Sequence, residues 1–149
     1  MTYKPTASGT QSGSITVSST AAANKTVTVS GSATSGPKIN VNPTSLNMST
    51  NVGVPVTQTF NVTGVNLKST VYLACSGEGF SIDKYSITKS VATAGATVTV
   101  TYNPSAKGNH TGTVTLTSSG ASDVVVNLNG TAIATPTITV DFTIQMCLI

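Results

Sequence analysis

A long internal repeat constrains the fold of this chain more than any other feature of its sequence. When the sequence is shifted by 99 residues, residues 2–41 align with residues 101–140, and 15 of the 40 aligned pairs are identical. Ser and Thr would often match by chance in a chain so rich in them, whereas Pro and Gly mark turns of fixed geometry. The alignment therefore indicates a structural repeat. The identical pairs include Tyr3/Tyr102, Pro5/Pro104, Gly9/Gly108, Gly13/Gly112, Gly31/Gly130 and Pro37/Pro136.

The repeat predicts a division of the chain into three parts. One whole copy is expected to occupy residues 37–135. Residues 1–36 correspond to the last third of a preceding copy and are expected to supply about three strands. Residues 136–149 correspond to the start of a following copy.

Within the whole copy, short apolar stretches alternate with polar residues and are separated by turn residues. In residues 97–102, for example, Val98, Val100 and Tyr102 share one face and threonines share the other. Val114 with Leu116, and Val124 and Val126 with Leu128, repeat the pattern. Such spacing is typical of an all-β, antiparallel two-sheet sandwich of about seven strands. The predicted strands are 38–42, 56–63, 70–76, 79–82, 96–103, 111–118 and 123–131.

Composition argues against several classes of partner. Only 7% of the residues are charged, and the seven basic residues are scattered lysines with no Arg among them. Nucleic-acid binding is therefore not expected, because its footprint is a clustered basic surface. No apolar run reaches the length of a membrane span, and the first residues lack the apolar core of a secretion signal.

The sequence contains no catalytic, cofactor or metal constellation, so we do not expect an enzyme. The single histidine, His110, lies between two glycines and is predicted to face solvent in a turn; the aligned residue is Gln11. Glu78 and Asp83 flank residues 79–82, but calcium needs more oxygen ligands than these two supply. Cys75 is expected to be a small core residue, with pairing to Cys147 in the tail as the less favoured alternative.

The turn residues and strand pattern of the repeat resemble those of a known family. Tyr-x-Pro-x3-Gly-x3-Gly at residues 102–112, alternating β-branched residues and a closing Asn-Gly-Thr-Ala are similar to immunoglobulin-like repeats of the ASPM–SPD-2–Hydin (MSP-like) kind. The stretch INVNPTSLNMSTNVGVPVTQTFNVTGVNL at residues 39–67 resembles the first strands of that family. Such repeats are common in surface and secreted proteins of Bacteroidetes. The resemblance implies an immunoglobulin-like spacer, stalk or interaction module without a shared active site.

The last residues alternate without a break, and six apolar side chains share one face of a predicted long strand. We expect this assembly strand to enter the sheet of a neighbour by β-strand addition, because an exposed apolar edge strand seeks a partner. Its apolar residues are Ile138, Val140, Phe142, Ile144, Met146 and Leu148.

These observations favour a non-enzymatic structural subunit that associates with itself or with a neighbouring repeat-containing protein. A surface fibre, pilus or adhesin stalk, at the cell surface or outside the cell, is the first expectation. A bacteriophage virion decoration or fibre protein is the second. A glycan- or protein-binding module cut from a longer secreted repeat protein stays open as a third.

Overall fold

The computed structural model describes residues 2–136 together with residues 138 and 140. An N-terminal hairpin is followed by a two-sheet sandwich. The elements are β1 (Gly9–Ser19), β2 (Ala22–Ala33), β3 (Lys38–Asn42), β4 (Ser45–Asn51), β5 (Val56–Val65), β6 (Val71–Ser76), β7 (Phe80–Ile82), β8 (Ser86–Ile87), α1 (Lys89–Ala94), β9 (Ala96–Tyr102), β10 (Gly108–Thr117) and β11 (Val124–Ile133). No helix in this described part is long and apolar enough to cross a membrane.

The sandwich consists of a five-stranded sheet in the order β4-β11-β10-β6-β8 and a four-stranded sheet in the order β3-β5-β9-β7. Strands β3 and β4 belong to different sheets, and the chain crosses between them at Pro43 and Thr44. Strand β4 then runs parallel to β11, while every other ladder of the described sheets is antiparallel. The predicted all-β sandwich is confirmed.

The core lies between the two sheets and is built by the alternating residues identified in the sequence. Val98, Val100 and Tyr102 are fully buried on β9, and Val114, Leu116, Val126 and Leu128 are buried opposite them. Threonines and asparagines on the same strands face outward. Apolar alternation therefore defines the inner face of each sheet, as expected for half-buried strands.

The structure adds three elements to the predicted seven strands. Strand β4 has only two buried apolar residues, Leu46 and Met48, separated by Asn47. Strand β8 is two residues long, and α1 is a six-residue helix that buries Ala92. Each of these carries too few apolar residues for its periodicity to stand out.

The N-terminal segment differs from its prediction, because residues 2–36 form two strands and not about three. The missing third strand would correspond to β9, and only residues 1–3 of this sequence align with that strand. The hairpin and the sandwich are joined by residues 34–37, where the Asn66 side-chain amide donates a hydrogen bond to the Ser35 carbonyl oxygen at 2.9 Å.

Candidate assembly surface

The N-terminal hairpin has one polar face and one apolar face. Strands β1 and β2 pair antiparallel, with Ile15 opposite Val27 and Gly13 opposite Val29. Because side chains alternate along a strand, these residues share a face, and serines and threonines occupy the other. Lys25, opposite Val17, is the one charged residue among the paired positions of the apolar face.

The apolar face of the hairpin is open to solvent. Ile15 is 44% exposed, Val17 is 62% exposed and Val27 is 54% exposed, while the ring of Tyr3 is about half exposed beside them. Large apolar side chains clustered on a surface are typical of interaction sites. This face, with the groove described next, is called the hairpin surface below.

A groove of about 310 Å³ lies at one end of the hairpin surface. The groove is open above Gly13, because a Cβ atom added there would meet only Val29 Cγ2, at 3.6 Å. At Gly31 the Tyr3 ring lies directly over the backbone, 2.9 Å from where a Cβ atom would stand. The groove is lined by Tyr3, Gln11, Ser12, Gly13, Val29, Ser30 and Gly31.

Strands β10 and β11 of the sandwich have the same register as this hairpin. Gly9 pairs with Ala33, and Gly108 pairs with Ala132, which are the same two positions 99 residues later. The match continues pair by pair to Val17 with Lys25, whose counterparts are Leu116 and Val124. The sequence repeat thus coincides with a repeat of backbone pairing.

Each pair of strands has a tyrosine that packs over a glycine in the same way. Tyr102 packs over Gly130, and its hydroxyl is hydrogen-bonded to His110 Nδ1 at 2.5 Å. In the hairpin, Tyr3 packs over Gly31, and its hydroxyl donates to Gln11 Oε1 at 3.2 Å. An imidazole and a carboxamide therefore serve the same structural purpose in the two copies.

The β1–β2 and β10–β11 pairs differ in how far neighbouring strands cover them. Strand β10 is covered along its outer edge by β6, and β11 is covered along its outer edge by β4. Among the described residues, β1 and β2 pair only with each other. The hairpin thus presents two free edges and an apolar face that the sandwich covers in the equivalent place.

Solved structures of other proteins share the fold of this chain. No family model and no curated protein matches the sequence. A PapD-like (ASH) domain of human CEP192 aligns with 66% of this chain and 87% of its own length, at 12% identity and a TM-score of 0.51. The fold is immunoglobulin-like.

Two glycoside hydrolases contain a region of similar Ig-like fold. A GH5 xyloglucanase from Bacteroides ovatus matches 67% of this chain, at 17% identity and a TM-score of 0.52. A family 123 glycoside hydrolase from Clostridium perfringens matches 68% of it, at 8% identity and a TM-score of 0.53. The match spans 20% and 28% of those two chains, so it concerns one part of each enzyme.

The residues of the predicted assembly strand are described only in part. Ile138 and Val140 lie outside any strand and are 94% and 71% exposed. Phe142, Ile144, Met146 and Leu148 lie outside the described residues. The donated strand therefore stays a prediction from sequence.

His110 does not occupy the solvent-facing turn predicted for it. It lies within β10, half buried, because its ring reaches the hydroxyl of the core residue Tyr102. The pKa of Tyr102 is raised, first by burial and further by the Glu78 carboxylate. Phe80 stacks on the same ring with centroids 4.6 Å apart, so the tyrosine is part of the Ig-like core.

The two acidic residues weighed for calcium are held at opposite ends of β7. Ser105 Oγ donates a hydrogen bond to Glu78 Oε1 at 3.1 Å. Asp83 accepts hydrogen bonds from Lys84 Nζ and from the Thr99 backbone N–H. Burial alone would raise the pKa of the Asp83 carboxyl, but its hydrogen bonds and the positive charge of Lys84 together outweigh burial, and the pKa is lowered. Among the described residues, no group of three or more His, Cys, Asp or Glu side chains could hold a metal ion.

Cys75 lies half buried on β6 against the core, and burial raises the pKa of its thiol. This agrees with the expectation of a small core residue. Cys147 lies outside the described residues.

Sequence reasoning identified the repeat but not the groove. The signal was present in the paired glycines, because Gly13 and Gly31 align with Gly112 and Gly130, both of which lie against other parts of the sandwich. A glycine inside a strand often marks a place where another part of the protein comes close to the backbone, as it does at Gly112 and Gly130.

Proposed function

We propose that this chain is a non-enzymatic Ig-like structural subunit that assembles with its neighbours by β-strand addition. The observation that carries the proposal is the hairpin surface, where an apolar face is exposed to solvent and, among the described residues, the outer edges of β1 and β2 have no strand partner. Backbone hydrogen bonds along a free edge and burial of the adjoining apolar face are the two contributions that strand addition uses.

The assembly strand predicted from sequence at residues 138–148 is the proposed donor. In the sandwich, the outer edge of β11 is occupied by the parallel strand β4. By the 99-residue offset, the equivalent edge on the hairpin is that of β2. A tail strand from a neighbouring chain added at this edge would extend the hairpin as β4 extends the sandwich.

Such a contact joins two different surfaces, so it is heterologous and produces a closed ring or an open filament. This geometry suits a surface fibre, pilus or adhesin stalk at the cell surface or outside the cell, and equally a bacteriophage fibre or decoration protein. We propose that the module belongs to the ASPM–SPD-2–Hydin kind of repeat, which its sequence resembles. The partner is then a second copy of the chain or another repeat-containing protein.

A second candidate function, glycan or protein binding, is favoured by one other feature of the sandwich. Tyr72 and Tyr85 are both exposed, and they lie on neighbouring backbone segments, because the Leu73 N–H donates to the Tyr85 carbonyl oxygen at 2.9 Å. Exposed aromatic rings can stack on sugars or anchor a protein contact. A ligand-dependent rise in the melting temperature of a monomer, lost in Tyr72→Ala, would support this candidate.

Light scattering and negative-stain imaging of the full chain test the assembly proposal, beside a version that ends at Thr135. Rings or filaments that grow with concentration in the full chain and disappear in the shorter one are expected. Circular dichroism of the shorter chain serves as the control for folding. Identical monomers from both proteins would overturn assembly through the tail.

A further inference from the structure

The sandwich shows in detail what covers the surface equivalent to the groove. At Gly112, the counterpart of Gly13, a Cβ atom would collide with the Ser76 carbonyl oxygen and lie 3.0 Å from the Phe80 ring. The Phe80 ring also stacks on Tyr102, with the two ring planes 25° apart. The turn between β6 and β7 therefore closes over this glycine and places an aromatic ring beside the tyrosine.

None of these covering groups lies over the hairpin. A Cβ atom at Gly13 would have a single neighbour within 4 Å, the side chain of Val29. Tyr3 is in position over Gly31, but the ring that would stack on it, the counterpart of Phe80, has no equivalent among the described residues. The groove is the space that this turn and ring fill in the sandwich.

The edge of β1 has the matching backbone pattern. Strand β6 pairs antiparallel with β10 from Ser76 opposite Thr113 to Tyr72 opposite Thr117. The equivalent stretch of β1 runs over residues 14–18. Along β6, Val71, Leu73 and Cys75 lie on the core side, so a like strand on β1 would bring three apolar residues toward Ile15 and Val17.

We propose that the hairpin surface binds a strand–turn–strand segment of the kind this chain carries at residues 71–82, supplied by another copy of the same Ig-like repeat. Its first strand pairs antiparallel with β1, and the aromatic residue after its turn enters the groove and stacks on Tyr3. The interface is already present once in the molecule, between β6–β7 and β10. This inference rests on the proposed function, in which the hairpin surface is an acceptor, and it names the partner for the edge that the tail leaves free.

The turn explains which partners fit. Gly77 and Gly79 have φ values of +112° and +79°, a region that side-chain-bearing residues rarely adopt. The partner is therefore expected to carry glycine at both positions, alternating apolar residues before them and an aromatic residue immediately after. An amphipathic helix or a charged loop would satisfy neither the β1 edge nor the groove.

The test uses a capped synthetic peptide with the sequence of residues 71–82 and Cys75→Ser, titrated into the full isotope-labelled chain. Saturable binding is expected, with amide chemical-shift changes concentrated in β1 and around Tyr3. A second peptide that also carries Phe80→Ala should bind about tenfold more weakly, because it loses both the apolar area of the ring and its stacking on Tyr3.

Two protein variants locate the contact. Gly13→Val fills the groove and should weaken binding of the peptide about tenfold or more, since it removes the site for the ring. Ser14→Val places the same side chain on the opposite face of the same strand and should leave binding unchanged. Both variants favour strands, so the hairpin should persist in each.

The outcomes separate this inference from the proposed function. Absence of binding, shifts confined to β10, or binding insensitive to Gly13→Val would each overturn the inference, whatever light scattering shows. A chain that stays monomeric but binds the peptide on β1 would support the inference and remove assembly through the tail. Filaments without peptide binding would support assembly through the tail and overturn the inference.

Discussion

The N-terminal hairpin and the β10–β11 pair have the same register and the same tyrosine over glycine, yet one is exposed and the other is buried. Val114 and Leu116 are fully buried in β10, while their counterparts Ile15 and Val17 are about half exposed or more. The apolar alternation specifies the hairpin in both places. Neighbouring strands decide whether its apolar face becomes a core or a surface.

The loops that connect the two pairs of strands also differ. The β1–β2 turn closes tightly, with Ser19 opposite Ala22 after an irregularity at Val17. The β10–β11 connection is wider, and Ser69 fastens it by accepting a hydrogen bond from the Ser119 backbone N–H at 3.1 Å. Ser69 precedes β6, so the strand that covers β10 also shapes its loop.

The largest expected contrast comes from truncating the same position in both pairs. Leu116→Ala should lower the free energy of unfolding by about 2–5 kcal/mol, because it leaves a cavity in a packed core. Val17→Ala should lower it by less than about 0.5 kcal/mol, as expected for an exposed position. Urea unfolding of the dilute chain, followed by circular dichroism, measures both. A loss of more than about 1 kcal/mol in Val17→Ala would mean that the hairpin is already covered.

A smaller contrast is expected at the glycines beneath the tyrosines. Gly130→Ala should lower the free energy of unfolding by about 1–3 kcal/mol, because the added methyl group collides with the buried Tyr102 ring. Gly31→Ala should cost less than about 0.5 kcal/mol, since the half-exposed Tyr3 ring can move away. Thermal unfolding of the two variants tests this. Equal losses would show that Tyr3 is as tightly held as Tyr102.

The smallest expected effect is a loss of folding stability at alkaline pH through Tyr102. The raised pKa of Tyr102 means that the unfolded chain releases this proton first, near pH 10. The contribution of the neutral hydroxyl to stability is therefore complete below about pH 10 and is lost as the pH rises through the folded-state pKa. Urea unfolding at pH 8 and pH 11 should show a larger loss of stability in the native chain than in Tyr102→Phe. The same loss in both would assign the effect to other groups.

The sequence predicted the fold where the alternation was strong and failed where a partner elsewhere in the chain decided the structure. Strands β9, β10 and β11 follow from apolar alternation alone. Strand β4 was missed because two apolar residues among polar ones carry too weak a pattern. His110 was placed in a turn because its neighbours are glycines, whereas the Tyr102 hydroxyl holds it within β10.

The candidate site was less predictable than the fold. The repeat indicated that residues 1–36 belong to a larger unit, but exposure depends on which strands are present to cover a face, and no local pattern encodes that. The predicted tail strand and the observed groove therefore came from different evidence, the first from the sequence and the second from the structure.

The near absence of charge on the hairpin surface determines which solution conditions should affect the proposed association. Lys25 is the one charged residue among the paired positions of that face, so changes in ionic strength that screen charges should alter association little. Excluded salts such as sulfate strengthen the burial of apolar surface and should promote it. For the proposed assembly, the identity of the salt, more than its concentration, is then the practical means of shifting the balance between separate subunits and assemblies.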